Sequence, residues 1–201
     1  MTTQPKICLT LVCCFLISNT ALAKEIYIQF IAFNEDESQI LVKVEDANLG
    51  TSLQIREFGT NAIKKAYLAE TKGAVQKRKR RLKRRFPKAG VVDQMGPRNR
   101  GTLMGAPDGK GNYNLLIMKD NRVGVLATIP LEVEKDNLVN KAKGMFKEVV
   151  WTDNGRQIVA IITQEIKRDN ATSKIDGVHY FQYRSWEIKW LKAEEPKPGD
   201  R

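Results

Sequence analysis

A mainly β fold, built of antiparallel meanders and interrupted by one basic helical insertion, is predicted by three observations. Apolar and polar residues alternate with period two through residues 25–58. The same strand-turn-strand pattern returns near the other end of the chain. Between the copies lies a proline-free stretch whose apolar residues recur at helical spacing amid a crowd of Lys and Arg.

The first 23 residues stand apart from this plan. Lys6 is followed by an apolar run at 7–17 and then by Ala21-Leu22-Ala23, the layout of a secretory signal peptide cleaved before Lys24. The run is shorter than the roughly 20 apolar residues that a membrane-spanning helix needs. A lipid-modified cysteine fits poorly, since Val12 precedes Cys13 where a small residue belongs. All three cysteines, Cys8, Cys13 and Cys14, fall inside this segment, so the mature chain is predicted to lack disulfides, thiolate metal sites and cysteine nucleophiles. A domain of this size that does without disulfide staples suits a bacterial envelope, and the expected location is periplasmic or secreted. Residues 24–192 are expected to form a single β-rich domain, with 60–88 as the basic helical insertion, 89–112 as a loop and 193–201 as a disordered tail.

The strands follow in order. Ile26, Ile28 and Phe30 alternate with Tyr27 and Gln29; Ile40, Val42 and Val44 with Leu41 and Lys43; Leu53 and Ile55 with Gln54 and Arg56. The polar cluster at 34–38 and the stretch 47–50 supply the turns of an antiparallel meander. Residues 115–126 read as a further hairpin. Near the far end, residues 149–160 align without gaps on residues 31–42: Phe33 falls on Trp151, Asn34 on Thr152, Glu37 on Gly155 and Gln39-Ile40 on Gln157-Ile158. Both segments read as strand, aromatic, acidic turn, Gln-Ile, strand.

These two hairpins resemble those of propeller blades of the WD40 and TolB-like type, in which an aromatic closes one strand and an Asp-Gly turn leads to the next. The likeness covers about two dozen residues and implies partial blades. A full propeller of roughly four or more four-stranded blades needs more chain than the insertion leaves, so two or three blade-like meanders packed face to face, or a truncated propeller, are expected.

Leu68, Val75 and Leu82 recur every seven residues, with Phe86 four further on, which predicts one helical face within 61–86; Pro87 ends the run. Residues 136–143 are read as a short second helix. The formal charge is +11, and +10 once Lys6 leaves with the signal. Twelve basic residues between Lys64 and Lys88 face one acid, Glu70, so the rest of the mature chain is close to neutral. The densest part, Lys77, Arg78, Lys79, Arg80, Arg81, Lys83, Arg84 and Arg85, is the candidate anion-binding site. So many like charges cannot be buried together, because desolvating each without a partner costs several kcal/mol. They must face water or an anion: a membrane surface, an acidic envelope protein, or nucleic acid, the last a weaker fit because only Tyr67 and Phe86 could stack on bases.

Other chemistry is thinly supported. His179 is the only histidine, no Gly-x-Ser-x-Gly elbow is present, and neither a metal nor a cofactor is expected. The segment 105–111 fails the phosphate-loop pattern in both spacing and ending and reads as turns. Tyr180, Phe181, Tyr183, Trp186 and Trp190 form an aromatic stretch suited to core packing or a binding platform. The preferred reading is a non-enzymatic binding or accessory module. The alternative is a secreted hydrolase using carboxylates on hairpin turns, with Asp153 and Asp176 as its pair.

Overall fold

The computed structural model describes residues 23–69, 71–92, 96–97, 100–108, 111–131, 139–168 and 171–191. Of the expected signal peptide 1–23 all but Ala23 lies outside them, as do the expected tail 193–201 and Glu70. The fold is mainly β with a single short helix: β1 (Glu25–Phe33), β2 (Gln39–Asp46), β3 (Gly50–Glu57), β4 (Ile63–Ala69), α1 (Lys72–Leu82), β5 (Thr102–Pro107), β6 (Asn112–Lys119), β7 (Arg122–Pro130), β8 (Val139–Trp151), β9 (Gln157–Arg168), β10 (Ala171–Gln182) and β11 (Lys189–Trp190).

The strands form a seven-stranded sheet, β4-β3-β2-β1-β10-β9-β8, and a four-stranded sheet, β11-β7-β6-β5. The first and last meanders are joined edge to edge, not face to face, by a two-rung parallel pairing of β1 with β10 at Glu25–Lys174 and Ile26–Ile175. Every other ladder is antiparallel. The third meander packs face to face on β8 and β9: Leu103 and Ile117 meet Val149, Trp151 and Ile158, while Tyr113 and Ile129 meet Ile162.

The large sheet is rolled without closing into a barrel. Val42 on β2 and Val150 on β8 share one buried cluster with Phe30, Val159, Ile161 and Val178. In a flat sheet those two strands would stand about 19 Å apart, four spacings of roughly 4.8 Å. Rolling turns this face inward and leaves the opposite face to be covered by α1 over β1–β3 and by the small sheet over β8–β10.

Beyond Ile26, β1 parts from β10, and its freed backbone groups are satisfied by side chains. Asp176 on β10 accepts from the Ile28 N–H (2.7 Å), Lys147 on β8 donates to the Ile28 carbonyl (3.2 Å), and Glu148 accepts from the Phe30 N–H (3.5 Å). The ladder of β8 with β9 is irregular between Phe146 and Glu148, a bulge that re-aims side chains in this way. Lys147 also pairs with Asp176, which accepts from Thr163 Oγ1 (2.6 Å) as well. Further along, the segment 88–91 crosses the gap: Lys88 bridges to Phe33 and Val91 to Trp151.

The two aligned hairpins prove equivalent in their turns. Asn34 Oδ1 accepts the Gln39 N–H (2.8 Å) while its own N–H donates to the Gln39 carbonyl (3.1 Å). Thr152 makes the same two bonds with Gln157, its Oγ1 accepting at 3.1 Å and its N–H donating at 3.0 Å. Asp36 caps the Ser38 N–H and Asn154 the Arg156 N–H. The left-handed position is Glu37 (φ 60°) in one and Gly155 (φ 65°) in the other. Both turns lie at the same end of the sheet, where Asn154 Nδ2 donates to Glu37 (3.1 Å).

Three expected elements need correction. The helix is confined to Lys72–Leu82, because Gly59 and Asn61, both at positive φ, reverse the chain and lay Ile63–Ala69 against β3 as an edge strand. Leu68 therefore leaves the helical face and is 77% exposed. The loop at 89–112 contains β5, whose Gly105 and Pro107 hid it; Pro107 is tolerated as the last residue of an edge strand, where no ladder hydrogen bond is lost. Residues 139–143 are strand, paired with β9, and not helix, whereas 136–138 lie outside the described residues.

Candidate anion-binding face

The basic segment is fastened by its apolar residues and open on its charged ones. Thr71 caps α1, its Oγ1 accepting the Ala74 N–H at 3.2 Å. Val75, Leu82 and, just past the helix, Phe86 are buried against Ala32, Leu41, Leu53 and Ile55. Each such side chain contributes about 1.5–3 kcal/mol of burial, enough to hold an 11-residue helix that carries little internal support of its own. Lys79, Arg80 and Arg81 occupy its last turn, the end of the helix dipole that favours cations.

Lys77, Arg78, Lys79, Arg80, Arg81, Lys83, Arg84 and Arg85 are all exposed. None of the eight is paired with a carboxylate among the described residues. The flanks of the basic stretch behave differently, since Lys64 pairs with Glu57 and Lys88 with Glu37, each at 3.3 Å. Among the described residues, neutralisation therefore reaches the two ends of the segment and not the eight cations between them.

One cation outside the eight, Lys65 on β4, joins this face. Tyr67 on β4 has Arg78 4.6 Å and Lys65 5.2 Å from its ring centre, which fixes strand and helix cations against one another. Beside α1 runs a groove of about 300 Å³, with Ile31, Ala32, Leu41 and Phe86 below and Lys79 and Lys83 at its rim. Ile63 and Leu68, exposed on β4, stand opposite Arg56 and Ser52, on the face of the sheet shared with Ile40 and Val44 and turned away from α1. The juxtaposition of Lys65 with Arg78 depends on the pairing of β4 with β3, which no local pattern announces.

The other candidates are placed elsewhere. Asp153 is exposed in the β8–β9 turn, whereas Asp176 is buried in mid-strand opposite Thr163, six rungs along the ladder from the Gln157–Gln182 rung beside that turn. That separation is about 20 Å at 3.3 Å per residue, too far for the two carboxylates to act on one bond. Asp176 is moreover occupied by the Ile28 N–H, Thr163 and Lys147. Burial pushes the half-buried Glu148 carboxyl above its usual range, against the Phe30 N–H and Lys147, which favour its charged form. His179 lies in the β10 ladder opposite Ala160. Gly105–Pro107 belong to β5, and Asp108 Oδ1 accepts the Asn112 N–H at 3.0 Å to shape the turn that follows.

The aromatic stretch divides at the end of β10. Phe181 and Tyr183 pack toward the small sheet, and Tyr180 meets Phe58 edge-on across the other face at 4.9 Å. Trp186 has left the strand and is 78% exposed. Tyr180 donates to Asn61 (3.1 Å), which also accepts from Arg56 (3.0 Å). Burial pushes the Tyr180 hydroxyl up to about 12, with the Arg56 guanidinium working the other way. The unfolded chain releases this proton near pH 10 and the folded one does not. Folded stability is therefore expected to fall as pH rises from about 10 to about 12. Tyr180→Phe should remove part of that fall, as read by urea denaturation at each pH; an unchanged profile would contradict it.

Comparison with protein-family models, with curated proteins and with solved structures gives no match.

Proposed function

We propose that this protein is a non-enzymatic binding module of the cell envelope, periplasmic or secreted, whose β4–α1 segment docks on an anionic membrane surface. One observation carries the reading: eight exposed cations, Lys77 to Arg81 and Lys83 to Arg85, are anchored on a rigid helix and its C-terminal turn without internal counter-charges among the described residues. A solvated connector would need no such anchoring. The apolar side of α1 is spent on the protein's own core, so contact with lipid is electrostatic. A lipid surface suits this spread of charge better than a deep protein groove would. The hairpin likeness to WD40 and TolB-like blades supports a scaffold that binds instead of reacting.

Each Lys or Arg near an anionic bilayer contributes about 1 kcal/mol, so replacing Lys79, Arg80 and Arg81 by Gln is expected to weaken vesicle binding roughly a hundredfold. Cosedimentation with vesicles of phosphatidylglycerol and phosphatidylcholine checks this, with pure phosphatidylcholine as the reference. Binding should also weaken as salt is raised. Equal pelleting of wild type and the triple variant, or equal pelleting on neutral vesicles, would overturn the reading; capture of an acidic protein with no vesicle binding would replace the membrane by that partner.

A further inference from the structure

A second cationic site, independent of the basic helix, is built around Tyr183. This tyrosine is 7% exposed, and its backbone N–H donates to the Arg156 carbonyl (2.7 Å) while its hydroxyl donates to the Arg100 carbonyl (3.2 Å). The Arg100 guanidinium lies over its ring at 4.9 Å. Arg184, the next residue, is oriented by Gln182 (2.6 Å) and Glu187 (2.8 Å). Three arginines from three separate parts of the chain thus line one crater of about 430 Å³, with Gln157 in its wall and Trp186 at its edge.

Three features distinguish this crater from an ordinary solvated surface. Among the described residues no carboxylate lines it, and neither Arg100 nor Arg156 has an acidic partner, Arg184 alone being paired, with Glu187. Arg100 Nε and Gln157 Oε1 are buried without a hydrogen-bond partner among the described residues, a costly arrangement that a bound group or the rearrangement accompanying it would relieve. Trp186 exposes 78% of its surface beside these charges, although the neighbouring aromatics are packed.

We infer that this crater binds a phosphate monoester carrying a flat ring, the phosphate held by Arg100, Arg156 and Arg184 and the ring stacked on Trp186. A phosphate dianion offers three terminal oxygens to guanidinium forks, whose planar donors match it better than lysine would. With Arg184 paired to Glu187, two guanidinium charges remain, which a phosphate dianion answers in full and a monocarboxylate only by half. The indole supplies a stacking face for the ring. The volume falls within the roughly 300–1,000 Å³ of small-molecule sites.

The probe is adenosine monophosphate, titrated into the full chain and followed by calorimetry and tryptophan fluorescence, with adenosine and inorganic phosphate alone in parallel. Adenosine monophosphate is expected to bind and to quench fluorescence. Arg156→Gln and Arg184→Gln, each at the surface, should weaken it about tenfold or more. Trp186→Ala should abolish the quench and lower affinity by a similar factor. Absence of binding, unchanged affinity in the two arginine variants, equal binding of adenosine, or equal binding of inorganic phosphate would each overturn the assignment. Loss of binding in the Lys79, Arg80, Arg81 triple variant, with Arg156→Gln unaffected, would move the nucleotide to α1 and overturn it too. Because the vesicle assay and this titration respond to different residues, either site can fail without the other.

Discussion

Gly90→Ala is expected to lower the stability of the fold by about 2–5 kcal/mol, the sum of a left-handed backbone penalty and overpacking. Gly90 lies at φ 71° in the strip that bridges β1 and β8. A Cβ there would stand 2.6 Å from Val150 Cγ1, 2.8 Å from Phe33 Cε2 and 2.9 Å from the Trp151 carbonyl oxygen. Phe33 and Trp151 are fully buried, and one of the three atoms is backbone, so no flexible side chain can give way. Chemical denaturation would read the loss as a lower midpoint. A midpoint within a few tenths of a kcal/mol of wild type would mean that the bridging strip is not tightly held and that the roll of the sheet does not depend on it.

Asp176→Ala is the second large effect, expected at about 2–6 kcal/mol, from two buried donors each left without an acceptor at about 1–3 kcal/mol. The Asp176 side chain is wholly buried while Lys147 is 37% exposed, so the lysine can swing toward water after the change. The Ile28 N–H and the Thr163 hydroxyl would have no such escape and would lose the acceptor they now share. Asp176→Asn keeps an acceptor and should cost less. A double-mutant cycle with Lys147→Ala separates the pair from the other two bonds. If Asp176→Ala left the denaturation midpoint untouched, the latch between β1, β8 and β10 would carry no weight in the fold.

Much of the fold was legible in the sequence because the signals involved are local. The turn at 34–39 and its counterpart at 152–157 announce themselves through short polar side chains that bond their own backbone, and the flanking strands through period-two burial, as in Phe30, Ile40 and Val42. β4 was hidden for the opposite reason. Its residues are exposed or half-buried on both faces, so no alternation marks it, and Leu68 fell by coincidence on the helical repeat of Val75 and Leu82. The parallel joint of β1 to β10 rests on two rungs between residues about 150 positions apart in sequence, which no window of the chain can reveal. The same division holds for the sites. A run of eight cations is visible as composition, but whether counter-charges meet them is decided by tertiary placement. The arginine crater has no linear signature at all: Arg100, Arg156 and Arg184 converge only because Tyr183 binds two of their carbonyls.

The parallel joint also sets the order in which the molecule can assemble. β1 is made first, yet its neighbour in the sheet is the tenth strand, so the centre of the large sheet stays unfinished until nearly the whole chain is available. Contacts of such long sequence separation make folding slow, on the scale of milliseconds to seconds. Until β10 arrives, the edge of β1 that it covers stays unpaired, and the two halves of the large sheet have nothing to join them.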